Sequence, residues 1–161
     1  MIDDWSVVQR HIAQLPTNVV AIIRELRINY VEFSNIPNQS GYFARHNGSF
    51  EIGVNASESP QRKRFTAAHE LGHYMLHRDL LGEGQHFDRL YGAGAMSNPV
   101  NPFTQQHEIQ ANRFAADILM PASYVQAIYN RRRSIQDVVS AFHVSEPAAK
   151  IRLRNLGIIH D

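Results

Sequence analysis

Phe65-Thr66-Ala67-Ala68-His69-Glu70-Leu71-Gly72-His73-Tyr74-Met75-Leu76-His77 is the stretch on which the fold turns. It lies in a segment of helical character, residues 61–78, behind a loop rich in Ser, Asn and Pro. Residues four apart on a helix differ by only about 40° in azimuth, so His69 and His73 project from one face and can share one metal ion. Glu70 follows directly in sequence, placed to reach a water on that ion without taking a coordination site. The sequence contains no cysteine, which excludes disulfides and thiolate metal sites. The remaining ligand types are His, Asp and Glu, the set of catalytic rather than structural zinc.

A catalytic zinc takes three protein ligands and keeps a fourth position open. A second helix, predicted over residues 104–120 with Pro121 at its exit, supplies Glu108 and, one turn later, Asn112. Glu108 suits the third ligand position, and Asn112 suits a hydrogen bond that fixes the tautomer of a ligand histidine. Spacing alone leaves Glu108 equally readable as an exposed carboxylate near a helix start. His77, one turn beyond His73, is a rival ligand, but it drifts a further 40° or so round the helix and reads better as a support or packing residue. His107 points about 100° away from Glu108. His86 and Asp88, in the loop that follows, are weaker candidates still for capping the site.

Outward from this centre the chain alternates helix and strand signals. Residues 5–15 carry an apolar stripe at Trp5, Val8, Ile12 and Leu15, ended by Pro16, and residues 19–26 form a second helix with Asn18 as its cap. Residues 28–33 read as a strand. Asn47-Gly48 between residues 42–46 and 49–54 is the preferred turn of a tight hairpin, with Phe50, Ile52 and Val54 on one face of its second strand. That second strand is expected at the sheet edge, where an extended peptide adds by backbone pairing. Residues 79–103 hold four glycines and two prolines and read as a long loop with a short helix near 87–91, a length typical of functional lids. Two further helices, 134–142 and 146–156, are joined by His143-Val144-Ser145.

At this point the residues resemble a known group. The stretch 65–77 looks like the active-site helix of the ImmA/IrrE family of bacterial and phage metallopeptidases. Glu108-Ile109-Gln110-Ala111-Asn112-Arg113-Phe114-Ala115-Ala116-Asp117-Ile118-Leu119-Met120-Pro121 resembles that family's second signature. The likeness covers roughly residues 40–157. It implies a gluzincin-like zinc fold and gives the third-ligand role to Glu108. It also implies a partner: members often stand beside a helix-turn-helix repressor that they cleave, or are paired with such a regulator as toxin and antitoxin.

The expectation is an α+β fold, a small mixed or antiparallel sheet packed on an active-site helix of zincin type and followed by a helical, helix-turn-helix-like C-terminal region. Residues 1–130 form the zincin-like peptidase domain and 131–161 the tail. The expected metal is Zn(2+), held by His69, His73 and Glu108, with Glu70 as general base and with Asn112 and His77 supporting the ligands. The expected function is a zinc endopeptidase acting on a specific protein, a helix-turn-helix repressor or antitoxin. The alternative is a regulatory or toxin-type protein that acts through a partner or DNA without proteolysis. From Arg131 to Arg154 six Lys or Arg stand against two acidic residues, yet the last helix begins Glu146-Pro147-Ala148, poor in groups that read base edges. DNA binding by this chain alone is therefore not expected, and the formal net charge of +1 adds no global pull toward nucleic acid. The acidic start Met1-Ile2-Asp3-Asp4-Trp5 leads into no apolar run, and no window is long enough to span a bilayer, so a cytoplasmic location is expected.

Overall fold

The computed structural model describes residues 3–34, 36–84, 86–90 and 102–160, with backbone alone for 86–90. The elements run α1 (Asp4–Ile12), α2 (Val19–Glu25), β1 (Asn29–Phe33), β2 (Gln39–His46), β3 (Ser49–Asn55) and α3 (Pro60–His77). A single 3-10 turn (Arg78–Leu80) leads to β4 (His86–Leu90), and α4 (Gln105–Leu119), α5 (Ala122–Arg132), α6 (Ile135–Phe142) and α7 (Glu146–Asn155) complete the chain. The molecule is mixed α+β, and no helix among the described residues is long and apolar enough to cross a membrane.

The sheet has the order β1-β3-β2-β4. β1 pairs parallel with β3, while β2 lies antiparallel to both β3 and β4. The Asn47-Gly48 turn holds because both residues adopt positive φ, 51° and 77°, as a two-residue hairpin turn with the right twist requires. The expectation that residues 49–54 form an edge strand is overturned: β3 is interior, covered by β1 on one side and β2 on the other. Its alternating apolar face could not reveal this, because edge and interior strands share that face pattern. The short helix expected near residues 87–91 is also corrected, since His86–Leu90 is a strand pairing with β2, from Ala44↔His86 to Gln39↔Leu90. The remainder of the predicted lid, residues 91–101, lies outside the described residues.

α3 starts where Ser59 accepts a hydrogen bond from the backbone N–H of Arg62 and Pro60 enters the first turn, both standard devices for helix initiation. It crosses the sheet and lays Ala67, Ala68 and Leu71 into a core with Phe43 and Ile52. That core is continuous with Val138, Phe142, Ala149 and Leu153 of α6 and α7. α4 packs on the other flank of α3 at close range. A Cβ placed on Gly72 would stand 3.1 Å from the carbonyl oxygen of Ala111 and 3.2 Å from its Cα, so only glycine admits this approach without displacing α4.

Polar clamps tie the outer elements to this centre. Arg64 of α3 donates to the carbonyls of Thr17 at 2.9 Å, Phe142 at 3.1 Å and His143 at 3.3 Å, joining the N-terminal helices to the turn before α7. Arg152 is buried, with Nε donating to the carbonyl of Met120 at 3.0 Å and a terminal nitrogen 3.0 Å from Asp117. The hydroxyl of Thr17 donates to the carbonyl of Ile118 at 2.7 Å.

Replacing Arg64 tests the clamp. Hydrogen bonds from a charged group contribute about 1.5–3 kcal/mol, and Arg64→Met keeps the aliphatic stem while removing all three donors, so a loss on the order of 2 kcal/mol is expected from urea unfolding. Arg64→Lys should recover only part of it, because an ammonium cannot span three acceptors as a planar guanidinium does. An unchanged midpoint for both variants would remove Arg64 from this role.

Candidate metal centre

His69, Glu70 and His73 are completely buried in the middle of α3. The helix period brings the two imidazoles to one face, 4.8 Å apart between ring centroids and nearly perpendicular. Across the Gly72 contact, Glu108 on the first turn of α4 points one carboxylate oxygen at both rings. Oε1 lies 3.3 Å from Nε2 of His69 and also meets Nε2 of His73. Donor atoms about 2.0–2.2 Å from a tetrahedral ion stand roughly 3.3 Å from one another, which the His69–Glu108 separation matches, while the His73–Glu108 contact is that of a short hydrogen bond and has to open to admit an ion. The donor set of two imidazole nitrogens and one carboxylate oxygen fits a hard-to-borderline divalent cation.

Glu70 lies beside this group, its Oε1 3.9 Å from Nε2 of His69. The ligand atoms of His69, Glu70 and His73 all fall within 4.8 Å of one another, so these three alone have the dimensions of a metal site. Two carboxylates thus compete for the ion on proximity. Glu108 is the better placed, because one of its oxygens meets both imidazoles whereas Glu70 stands at longer range from one.

Behind each imidazole is a hydrogen-bonded support. Nδ1 of His69 donates to Oδ1 of Asn112 at 2.7 Å. Nδ1 of His73 is 3.0 Å from Nδ1 of His77, whose Nε2 is in turn 2.6 Å from Oε1 of Gln110. Phe103 lies flat on His73, with ring centroids 4.0 Å apart and planes 4° from parallel, which fixes the tilt of that ring. His107 is engaged elsewhere: its Nδ1 accepts the backbone N–H of Thr104 at 3.0 Å and closes the cap of α4.

The electrostatics follow the burial. Burial pushes the Glu108 carboxyl up, but its hydrogen bonds with His69 and His73 outweigh that effect and hold it well below the usual carboxylate range. For His77, burial dominates and lowers its basicity, opposed by the hydrogen bond with Gln110.

The six residues singled out in the sequence, His69, Glu70, His73, His77, Glu108 and Asn112, thus converge on one place. Two others were not foreseen. Phe103 fell within a segment read only as loop, and no periodicity marks it. Gln110 stands two residues beyond Glu108 on the same helix, and its partner His77 becomes visible only when α3 and α4 are paired in space. The side chains of His86 and Asp88 lie outside the described residues.

Comparison with protein families agrees with this geometry. The model of the IrrE N-terminal-like domain, the M78 peptidases, matches residues 24–154. No curated protein matches the chain. With most of its length inside that match, the chain belongs to the ImmA/IrrE family of metallopeptidases.

The lowered Glu108 pKa predicts an acid limb in the stability of the metal-free protein. A carboxyl with a folded pKa below its ordinary value of 4.5 contributes stability that is present above that value and lost as pH falls below it toward the folded pKa. Glu108→Gln should flatten this limb in denaturation measured from pH 6 down to pH 3, where wild type declines more steeply. Parallel curves for the two proteins would refute the coupling.

Proposed function

We propose that this member of the ImmA/IrrE family is a zinc endopeptidase, its ion held by Nε2 of His69, Nε2 of His73 and Oε1 of Glu108, with Glu70 as general base. The observation that carries the reading is the meeting of both imidazoles on one oxygen of Glu108 while a second buried carboxylate, Glu70, stands alongside. A zinc ion held by these three residues would supply Lewis acidity toward the scissile carbonyl and would lower the pKa of water to about 7. Glu70 then takes the proton of the attacking water and passes it to the departing amine nitrogen, so one carboxylate serves as base and as acid. Asn112 and His77 keep the two imidazoles oriented. A purely structural site needs no such base, which favours catalysis over an interaction protein acting without proteolysis.

In this reading α3 is the active-site helix of a zincin, residues 1–130 form the peptidase unit and 131–161 a helix-turn-helix-like tail. The substrate is a folded or partly folded protein, with a helix-turn-helix repressor or antitoxin of the same cytoplasm as the first candidate. A cleft of about 1310 Å³ runs from Phe65 and Asn112 past the exposed Ile109 and Ile151 to the tail; it lies on the Asn112 side of His69, and none of His69, Glu70, His73 and Glu108 lines it. The tail serves packing and substrate shape rather than DNA reading. Of its basic residues Arg152 is buried against Met120 and Asp117, which removes it from any groove-facing surface.

Two measurements test the proposal. Purified protein should carry about one zinc per chain, and His73→Ala or Glu108→Ala should strip most of it, since a catalytic site has only three protein ligands. If Glu108→Ala keeps its zinc while Glu70→Ala loses it, the ligand and the base have been exchanged. Glu70→Gln, by contrast, should retain zinc and partner binding while cleavage of the repressor encoded beside the gene, followed by mass spectrometry, falls by about 10²–10⁴-fold. Equal cleavage by wild type and Glu70→Gln, or no cleavage by either, would hand the function to the interaction-protein reading.

A further inference from the structure

The chain of contacts behind His73 has a direction. Nδ1 of His73 faces Nδ1 of His77 at 3.0 Å, and a contact between two imidazole nitrogens at that range needs one proton between them. The other nitrogen of His77 faces the amide oxygen of Gln110 at 2.6 Å. An amide oxygen only accepts, so Nε2 of His77 carries a proton. A neutral His77 then presents Nδ1 as an acceptor and His73 donates from its own Nδ1; the proton that His73 shares between Nε2 and Oε1 of Glu108 is the one an incoming ion would displace, leaving the Nε2 lone pair to coordinate. Rotating the Gln110 amide to present its NH2 reverses every link. His77 would accept at Nε2 and donate from Nδ1, and His73 would be protonated at Nε2, the atom that has to coordinate.

We propose that Gln110 is a positioning residue for the metal: its amide oxygen sets the tautomer of His77 and, through it, that of His73. This rests on the reading of His73 as a ligand through Nε2. The arrangement parallels the support of His69 by Asn112, with one histidine interposed. A single helix, α4, thereby supplies a ligand, Glu108, and the acceptors that orient both imidazoles, Gln110 and Asn112. His77 is 5% exposed, so water competes poorly for its ring nitrogens and the protein groups decide where its proton sits.

The test uses the full chain with Gln110→Leu, which removes the acceptor at similar volume, and Gln110→Glu, which can only accept. Zinc affinity is measured by competition with a chromophoric chelator, and ring tautomers by long-range ¹⁵N–¹H correlation spectra of the imidazoles. Supports of ligating histidines contribute about 10–100-fold in metal affinity, and for this more distant one Gln110→Leu should lower zinc affinity about 10-fold while Gln110→Glu restores it to within roughly 3-fold or tightens it. His77 should show the proton on Nε2 in wild type and in Gln110→Glu, and mixed tautomers in Gln110→Leu, a signature that a packing role alone would not move. Wild-type affinity in Gln110→Leu, failure of Gln110→Glu to rescue, or a wild-type His77 protonated at Nδ1 would each overturn the proposal. Should Gln110→Leu fold poorly, the wild-type tautomer decides. His73→Ala is the control that separates the two ideas. If it keeps its zinc, the ligand assignment fails; if it loses zinc while both Gln110 variants behave as wild type, only the relay fails.

Discussion

The close approach of α3 and α4 is the contact on which the site depends. His69 and His73 can be aligned by one helix alone, but a third donor has to come from elsewhere. Gly72, between the two histidines, is the residue that lets it come. Without a side chain it allows the backbone of Ala111 to sit where a Cβ would otherwise press at 3.1–3.2 Å. Glu108, one turn before Ala111, is thereby carried to the imidazole nitrogens. A side chain at Gly72 would push its α4 neighbours away by a few tenths of an ångström, and moving α4 outward would draw the carboxylate away from both rings together. Packing and the geometry of the His69–His73–Glu108 cluster are set by the same contact.

The polar groups buried around that contact would be costly without partners, on the order of 1–3 kcal/mol for each unmatched donor or acceptor. Partners are supplied from α4 at helical spacing: Glu108 meets His69 and His73, Gln110 meets His77, and Asn112 meets His69 from behind. The same logic governs the periphery. Arg64, Arg152 and Thr17 each satisfy a carbonyl at a helix end or turn, where regular backbone hydrogen bonding stops. These clamps bind the N-terminal helices and the tail to the α3–α4 unit, so the histidine–glutamate cluster is buttressed by elements far from it in sequence.

How much of this was legible depends on the range of the signal. α3 and its face were readable because the helix period and the histidine spacing are both local. The hairpin was readable because Asn47-Gly48 has few other uses. Strand order was not: an alternating strand looks the same at an edge or inside a sheet, so β3 was placed on the outside. Residues 86–90 became a strand through pairing with β2, a tertiary effect that overrides weak local preference. α5 escaped because its apolar positions, Val125, Ile128 and Tyr129, make a thin stripe, and Pro121 read as an end when it also precedes a new helix. Within the site, residues tied to the motif by period were found, whereas Phe103 and Gln110, defined by what they touch across space, were not.

Charge supplies the last step. In the proposed centre the contacts behind His69 and His73 hold the Nδ1 protons away from the ion, so that an ion displacing the Nε2 contacts with Glu108 would meet two Nε2 lone pairs. Both imidazoles would then be neutral, and the charge facing the ion would come from Glu108, whose carboxyl is held well below the usual range. A carboxylate in such a partly buried place loses hydration, which neutral imidazoles offset only in part. A cation bound there would offset that charge. Reversing the tautomers would aim N–H groups at the ion and defeat this. The neutral state of His77, favoured by its burial, therefore belongs to the proposed centre even though His77 would stand one residue removed from the ion.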